Sequence, residues 1–236
     1  MDEPRIRVLR QKEGVVETLP IEEYVKGVVP AEVFSSWPMA VLEAQACFAR
    51  SWAYYQMLNH TRHEANYDVC DTSHCQNYRP DWLRDRTDRA VEDTRGVICV
   101  DKKTGEPVQT FYSQSCGGQT ENRWDPEHLL QRNDCPCQEN EHERVGHGHG
   151  MCQWGAMYLW EEGPARYWQD IADFYVNPET TAWLPYYGTE WEPVPVSLEE
   201  RVKRLEEQVK ALAEDVQSFF QSMHTVKCNL VVMKEA

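Results

Sequence analysis

The chain has 236 residues, enough for one domain of roughly 190 residues and an appendage. Apolar residues make up 41% and charged residues 27%, the ordinary range for a folded protein with a real core, which excludes bulk disorder and any need for disulfides to reach a fold. Against 24 basic residues stand 39 acidic ones, a net charge of −15, nearly all of it on the part before Val196; so acidic a body repels phosphate backbones and excludes a general nucleic-acid binder. No apolar run reaches the 18 or so residues of a membrane span, and the first residues have neither the basic nor the apolar stretch of a signal peptide.

In chain order, two short strands are expected at residues 6–9 and 15–18 around a polar turn. Pro20 opens a helix that should stop before Pro30, because the residue preceding a proline disfavours helical backbone. A second helix is expected from Ser36, a good N-cap, to about Leu58, with Leu42, Ala46, Ala49, Ala53 and Met57 as its buried stripe. Residues 60–86 are polar and read as a structured loop. A helix near 86–93 leads to a strand–turn–strand, 96–100 and 108–112, around a five-residue connection ending in Gly105. The segment 122–143 is irregular. A glycine-rich turn at 146–156 feeds a helix ending near Gly163, and another helix covers 165–175.

Residues 185–197, rich in proline, read as a linker. Beyond it Leu198, Val202, Leu205, Val209, Leu212, Val216, Phe219 and Met223 alternate spacings of four and three. Val at a and Leu at d is the pattern of a two-stranded coiled coil over 198–226, before a tail at 227–236, and homo-oligomerisation through it is expected. The competing reading is an amphipathic helix docked on its own domain. The fold class expected is α+β: mixed helices with short strands in one domain, then this helix.

Five sets of residues carry chemical potential. Glu32 falls at a junction between two helices, among Val28, Val29, Val33, Phe34 and Trp37. If those residues surround it, lost hydration raises its pKa and keeps the acid form available; otherwise it is an exposed glutamate in a first helical turn. His63, Cys70, His74 and Cys75 supply two imidazoles and two thiols within 13 residues, the ligand set of a closed tetrahedral zinc site, or equally a disulfide beside two solvent-facing histidines. His147, His149 and Cys152 sit among glycines, where metal or substrate could approach the backbone. Cys116, Cys135 and Cys137 form a further thiol group, open to metal binding or to a disulfide. Trp124, Trp154, Tyr186 and Tyr187 are aromatic surfaces suited to sugar rings.

The ordered series Leu19-Pro-Ile-Glu-Glu-Tyr-Val-Lys-Gly-Val-Val-Pro-Ala-Glu-Val33, Ser36-Trp-Pro, Ala44-Gln-Ala-Cys-Phe-Ala-Arg-Ser51, Tyr67-Asp-Val-Cys-Asp-Thr-Ser-His-Cys-Gln76, Thr94-Arg-Gly96, Phe111-Tyr-Ser-Gln-Ser-Cys-Gly-Gly-Gln-Thr-Glu121 and Gly146-His-Gly-His-Gly-Met-Cys-Gln-Trp-Gly-Ala156 resembles the SpoIID/LytB family of sporulation stage II protein D and amidase enhancers. The likeness covers about residues 5–176 and implies a domain at 1–184.

The resemblance implies a lytic transglycosylase that cuts peptidoglycan glycan strands between N-acetylmuramic acid and N-acetylglucosamine, leaving 1,6-anhydro ends, with Glu32 as acid and then base. The alternative from the same family is a non-catalytic wall-binding enhancer of an amidase. It further implies a structural zinc on His63, Cys70, His74 and Cys75. A glycan groove would draw on Gln45, Arg50, Tyr112, Ser113, Ser115, Gly117, Gly118, His147 and Gln153. The expected place of action is the cell wall, reached by a spore- or phage-associated route. The chain departs from the family pattern in having Cys152 where serine is usual and only 24 residues between Glu121 and Gly146.

Overall fold

The computed structural model of the protein describes residues 3–60, 62, 63, 66–82 and 84–186, all within the first of two units into which the chain divides, 1–191. Tyr187, the linker from 187 onward, the heptad seam at 198–226 and the tail lie outside the described residues. The fold is α+β.

Strands β1 (Arg5–Arg10) and β2 (Val15–Pro20) form an antiparallel hairpin in which Ile6 faces Leu19 and Val8 faces Glu17. The alternation expected of a half-buried strand is present: Ile6 and Val8 are fully buried. On its other edge β1 takes the short parallel strand β3 (Val69–Cys70). Asp68 fixes that join by accepting from the Arg7 backbone N–H at 2.8 Å and from its guanidinium at 2.6 Å. The loop read from 60 to 86 thus carries a sheet edge and a 3₁₀ turn at Pro80–Trp82.

Helix α1 (Ile21–Glu32) runs through Pro30 rather than stopping before it. Proline removes one N–H and clashes one turn back. In the last turn that penalty falls where the helix is ending anyway, and the Val33 N–H still closes on the Val29 carbonyl at 3.1 Å. Glu32 is therefore the last residue of α1, at its C-terminal end, and not in the first turn of the next helix. Helix α2 (Met39–Asn59) starts one turn later than Ser36, with Pro38 at its N-cap, and ends at His60 in the left-handed region. The expected stripe is buried, fully so except for Met57. Val41, Ala44, Cys47, Phe48, Arg50 and Trp52 are buried as well. A helix buried all round is the hub of its domain. Against α2 pack α1, α3 (Asp85–Asp93), α5 (Trp168–Tyr175) and strand β4 (Val97–Asp101).

The expected hairpin from β4 is only partly formed. The turn is there: Gly105 sits at φ +74° and its N–H reaches the Asp101 carbonyl at 2.8 Å. Beyond the isolated bridge Val100–Pro107 and the Val108 N–H to the Cys99 carbonyl, however, the ladder stops. Pro107 has no N–H to offer a ladder. The edge of β4 is filled instead by antiparallel β7 (Thr181–Pro185), so Pro185 closes a strand rather than opening a linker. Residues 112–113 form β5 (Tyr112–Ser113), which pairs in parallel with β6 (Met151–Cys152) just before α4 (Gln153–Glu161). Gly150, at φ +69°, makes that pairing possible: a Cβ there would strike the Phe111 carbonyl, which receives the Met151 N–H at 2.8 Å.

Candidate active site

An open cleft of about 830 Å³ runs across the end of α1, the 73–77 segment, β5 and the start of α4. Glu32 lies in its wall, half-buried. Its Oε1 accepts the Asn77 backbone N–H at 2.7 Å, and the side chains of Asn77 and Gln153 act on the carboxyl in the sense that lowers its pKa. Burial raises the Glu32 pKa above its ordinary value; the hydrogen bonds and the charge of Arg79 oppose this without cancelling it. The helix terminus acts in the same sense as burial, since the negative end of the macrodipole disfavours a carboxylate. Among the described residues lining the cleft Glu32 is the single acidic one, and the cations are Arg62 and Arg84.

Aromatic rings form the walls. Phe34, 62% exposed, meets Trp37 at 5.7 Å, and Trp37 lies edge-on to Trp154 at 5.0 Å. Opposite, Trp124, 49% exposed, stacks flat on His149 at 3.7 Å and touches Phe111 at 5.1 Å. His149 is fully buried and its pKa is lowered by that burial and by Arg123, so the ring is neutral at pH 7.

The expected groove residues separate into two sets. Tyr112, Ser113, His147 and Gln153 line the cleft with Glu32. Tyr112 is placed beside Glu32, whose charge, together with burial, raises the phenol's pKa. The other set does not line it. Gln45 is buried behind Gln153 and accepts its Nε2 at 3.2 Å. Arg50 is in the core, fully buried, with its guanidinium on the Glu22 carboxylate at 2.8 Å. Ser115 is buried in a two-way backbone bridge to Val145. Gly117 and Gly118, at φ +67° and +94°, shape a turn beside a group of cysteines. Phe34, expected beside Glu32, lines the cleft, and so does Asn77, which the sequence offered no pattern for: it follows a Cys–Gln pair with nothing to mark it as a partner of Glu32, 45 residues away.

His63, Cys70, His74 and Cys75 converge: one donor atom from each lies within 4.8 Å of the others. His63 Nε2 is 3.0 Å from Cys75 Sγ, and His74 Nδ1 is 3.8 Å from Cys70 Sγ and 3.7 Å from Cys75 Sγ. Two thiols and two imidazoles at this separation can hold a metal ion with no open position. The grouping of Cys152 with His147 and His149 is not what the structure holds: Cys152 joins Cys116, Cys135 and Cys137, also within 4.8 Å of one another, and all are free thiols. Tyr186 lies away from the cleft, edge-on to Tyr54 at 5.1 Å.

Residues 10–100 match the family model described as Stage II sporulation protein, SpoIID. Over this segment the chain is similar to SpoIID. The SpoIID match includes Glu32 and the first Cys/His group and ends before Tyr112. An uncharacterized protein of Brachyspira hyodysenteriae (strain ATCC 49526 / WA1) is 40% identical over 108 residues, covering 45% of this chain and 28% of that protein. The amidase enhancer of Bacillus subtilis (strain 168) is 35% identical over 97 residues, 41% of this chain and 12% of its own length. Stage II sporulation protein D of the same strain is 32% identical over 132 residues, 50% of this chain and 38% of its own. The chain thus spans less than two fifths of each of these relatives. Among the described residues no helix is long and apolar enough to cross a membrane.

Proposed function

We propose that this SpoIID-like domain is a peptidoglycan lytic transglycosylase with Glu32 as its acid and base. The observation that carries the reading is that, among the described residues lining the aromatic-walled cleft, one alone bears a carboxyl. Glycosidases that use water need two carboxylates, one to protonate the leaving oxygen and one to activate the water or attack C1. A lytic transglycosylase needs one, because the nucleophile is the substrate's own C6 hydroxyl.

In this mechanism protonated Glu32 gives its proton to the oxygen between C1 of N-acetylmuramic acid and C4 of N-acetylglucosamine. The C1–O bond breaks through an oxocarbenium-like state. The carboxylate then takes the proton of the muramoyl C6 hydroxyl as that oxygen bonds to C1. One bond breaks, one forms, the proton passes through Glu32, and no water is consumed. The raised pKa supplies the acid form, while the neutral donors Asn77 and Gln153 steady the carboxylate for the second half. The rings of Trp124 and Trp154 offer faces for sugars, and Arg62 and Arg84 suit the lactyl carboxylate of muramic acid in a body otherwise strongly acidic.

The residues that would hold a structural zinc are His63, Cys70, His74 and Cys75, and when bound it supplies a closed clamp on the segment bearing Asn77. On this reading the protein acts at the cell wall, and the heptad pattern in its sequence is proposed to serve homo-oligomerisation.

The test is digestion of purified glycan strands followed by mass spectrometry. The wild-type chain should produce 1,6-anhydromuramoyl ends. Glu32→Gln should lose about 10²–10⁴-fold in rate, the contribution of a general acid. The wild-type rate should fall as pH rises through the raised Glu32 pKa, where the acid form is lost. Absence of anhydro ends, or a Glu32→Gln protein as active as wild type, refutes the enzyme. The name of one relative, amidase enhancer, favours the second reading; it predicts stimulation of an added amidase that is indifferent to Glu32→Gln.

A further inference from the structure

We propose that Cys116, Cys135, Cys137 and Cys152 form a second metal centre, a closed tetrathiolate site for one Zn²⁺, separate from the Cys/His group and outside the segment matched to SpoIID. The proposal does not depend on the glycan-cleaving reading.

The four sulfurs come from three separate pieces of chain: the loop after β5, the irregular stretch following residue 121, and the junction of β6 with α4. All four side chains are at most 1% exposed. Zinc–thiolate bonds of about 2.3 Å arranged tetrahedrally put the sulfurs about 3.8 Å apart. Here Cys116 Sγ and Cys137 Sγ are 3.4 Å apart, and every pair is within 4.8 Å. That is too far for the disulfide bond of about 2.05 Å. It is too close for an iron–sulfur cluster, whose sulfide-bridged irons would stand between the cysteines.

Backbone donors point at the sulfurs, as they do around metal-bound thiolates. The Cys116 N–H reaches Cys152 Sγ at 3.3 Å, the Gly155 N–H reaches the same sulfur at 3.2 Å, and the Gly118 N–H reaches Cys137 Sγ at 3.2 Å. The chain makes room for the group: a Cβ on Gly155 would collide with Cys135 Sγ. Four thiolate-bearing ligands, buried and close-set, are the donor set of structural zinc.

The centre would serve as a staple. Segment 122–143 has no regular element of its own to hold it. Tied to the start of α4 and the end of β5, it becomes part of the wall in which Ser113, Gln114, Gln153 and Trp154 face the cleft.

The test is zinc stoichiometry of the reduced full chain by native mass spectrometry and elemental analysis. Wild type should carry two zinc ions, one for each cysteine group. Cys75→Ser, disabling the Cys/His group, should keep one. Cobalt put in its place should give the intense sulfur-to-metal charge-transfer bands of four thiolates. Cys137→Ser should likewise keep one, with the weaker bands of two thiolates. If Cys137→Ser does not fold, Cys75→Ser and the wild-type count decide. A wild-type chain with a single zinc that vanishes in Cys75→Ser overturns the proposal. So does a denatured mass showing the four cysteines joined in two disulfides, or four free thiols with no metal.

Discussion

Removing the charge of Glu22 should cost the domain a large part of its stability while leaving the cleft chemically untouched. Glu22 and Arg50 are both fully buried and form a bidentate pair, with Arg50 Nε and Nη2 on the carboxylate at 3.0 and 2.8 Å. The carboxylate also receives the Gly96 N–H at 2.8 Å, and the guanidinium reaches the Val91 and Val97 carbonyls at 3.1 and 3.2 Å. The network joins α1, α2, the end of α3 and the start of β4. Glu22→Gln keeps the shape and one acceptor but leaves a buried guanidinium without its counter-charge. Breaking a buried pair from one side costs about 3–5 kcal/mol. Against a typical total of about 5–15 kcal/mol this is about a fifth or more. At about 2–4 °C per kcal/mol for a domain this size, the melting temperature should fall by roughly 6–20 °C.

The assay is urea unfolding at pH 7 followed by circular dichroism, with Arg50→Met and the double variant completing a cycle. Because Arg50→Met removes the stranded charge, the double variant should be more stable than the sum of the singles requires, by about 2 kcal/mol or more. A Glu22→Gln loss below about 1 kcal/mol, or an additive cycle, refutes the reasoning. A change confined to substrate KM in Arg50→Met, with stability unmoved, would return Arg50 to the groove.

Two further outcomes follow from other parts of the molecule. His128 bridges two carboxylates, Nδ1 to Asp125 and Nε2 to Asp101, each at 2.9 Å. Burial lowers its pKa, but the hydrogen bonds to Asp101 and Asp125 outweigh this and the net shift is upward. A raised folded-state pKa gives stability that is complete below the unfolded value of about 6.5 and is lost as pH rises through the folded value. The melting-temperature gap between wild type and His128→Asn should therefore be widest near pH 6 and shrink on the alkaline side; a gap that widens with pH contradicts this. Trp124→Ala removes a half-exposed ring stacked on His149. It should raise KM for glycan strands about two- to tenfold, the worth of one aromatic contact of about 0.5–1.5 kcal/mol, with kcat little changed; a collapse of kcat at constant KM would place the ring in the chemistry instead.

What the sequence made legible was local. The β1–β2 hairpin, α2 with its stripe of small residues, and the approach of His63 to Cys75 all arise within short stretches, where periodicity and spacing act directly. The passage of α1 through Pro30 was hidden because proline's penalty depends on how much helix remains, and only the last turn did. Arg50 was misleading for a related reason. A charged residue on a buried helix reads as functional until its partner is found, and Glu22 lies 28 residues back on another helix. Cys152 has His149 as its neighbour in sequence, but the pairing of β6 with β5 carries it to Cys116, 36 residues away, and to two cysteines of an irregular segment that no pattern could place.

The handling of Glu32 explains why such distant pieces must meet. A group that gives a proton and takes one back within a single turnover cannot be held by a cation, which would fix it as a carboxylate and remove the acid. Neutral donors can hold it in either state, but they must be aimed, since each contributes only a hydrogen bond. Asn77, by its backbone N–H, and Gln153, from the start of α4, meet that need, and each is anchored close by: Asn77 two residues after Cys75, Gln153 one residue after Cys152. Both arms holding the carboxyl thus spring from cysteine groups rather than from the helix that carries it. Disturbing either group should therefore move the Glu32 pKa, and with it the pH dependence of cleavage, without any change at Glu32 itself. A pH profile unchanged in both Cys75→Ser and Cys137→Ser would mean that the arms are held by the surrounding core and not by the sulfurs.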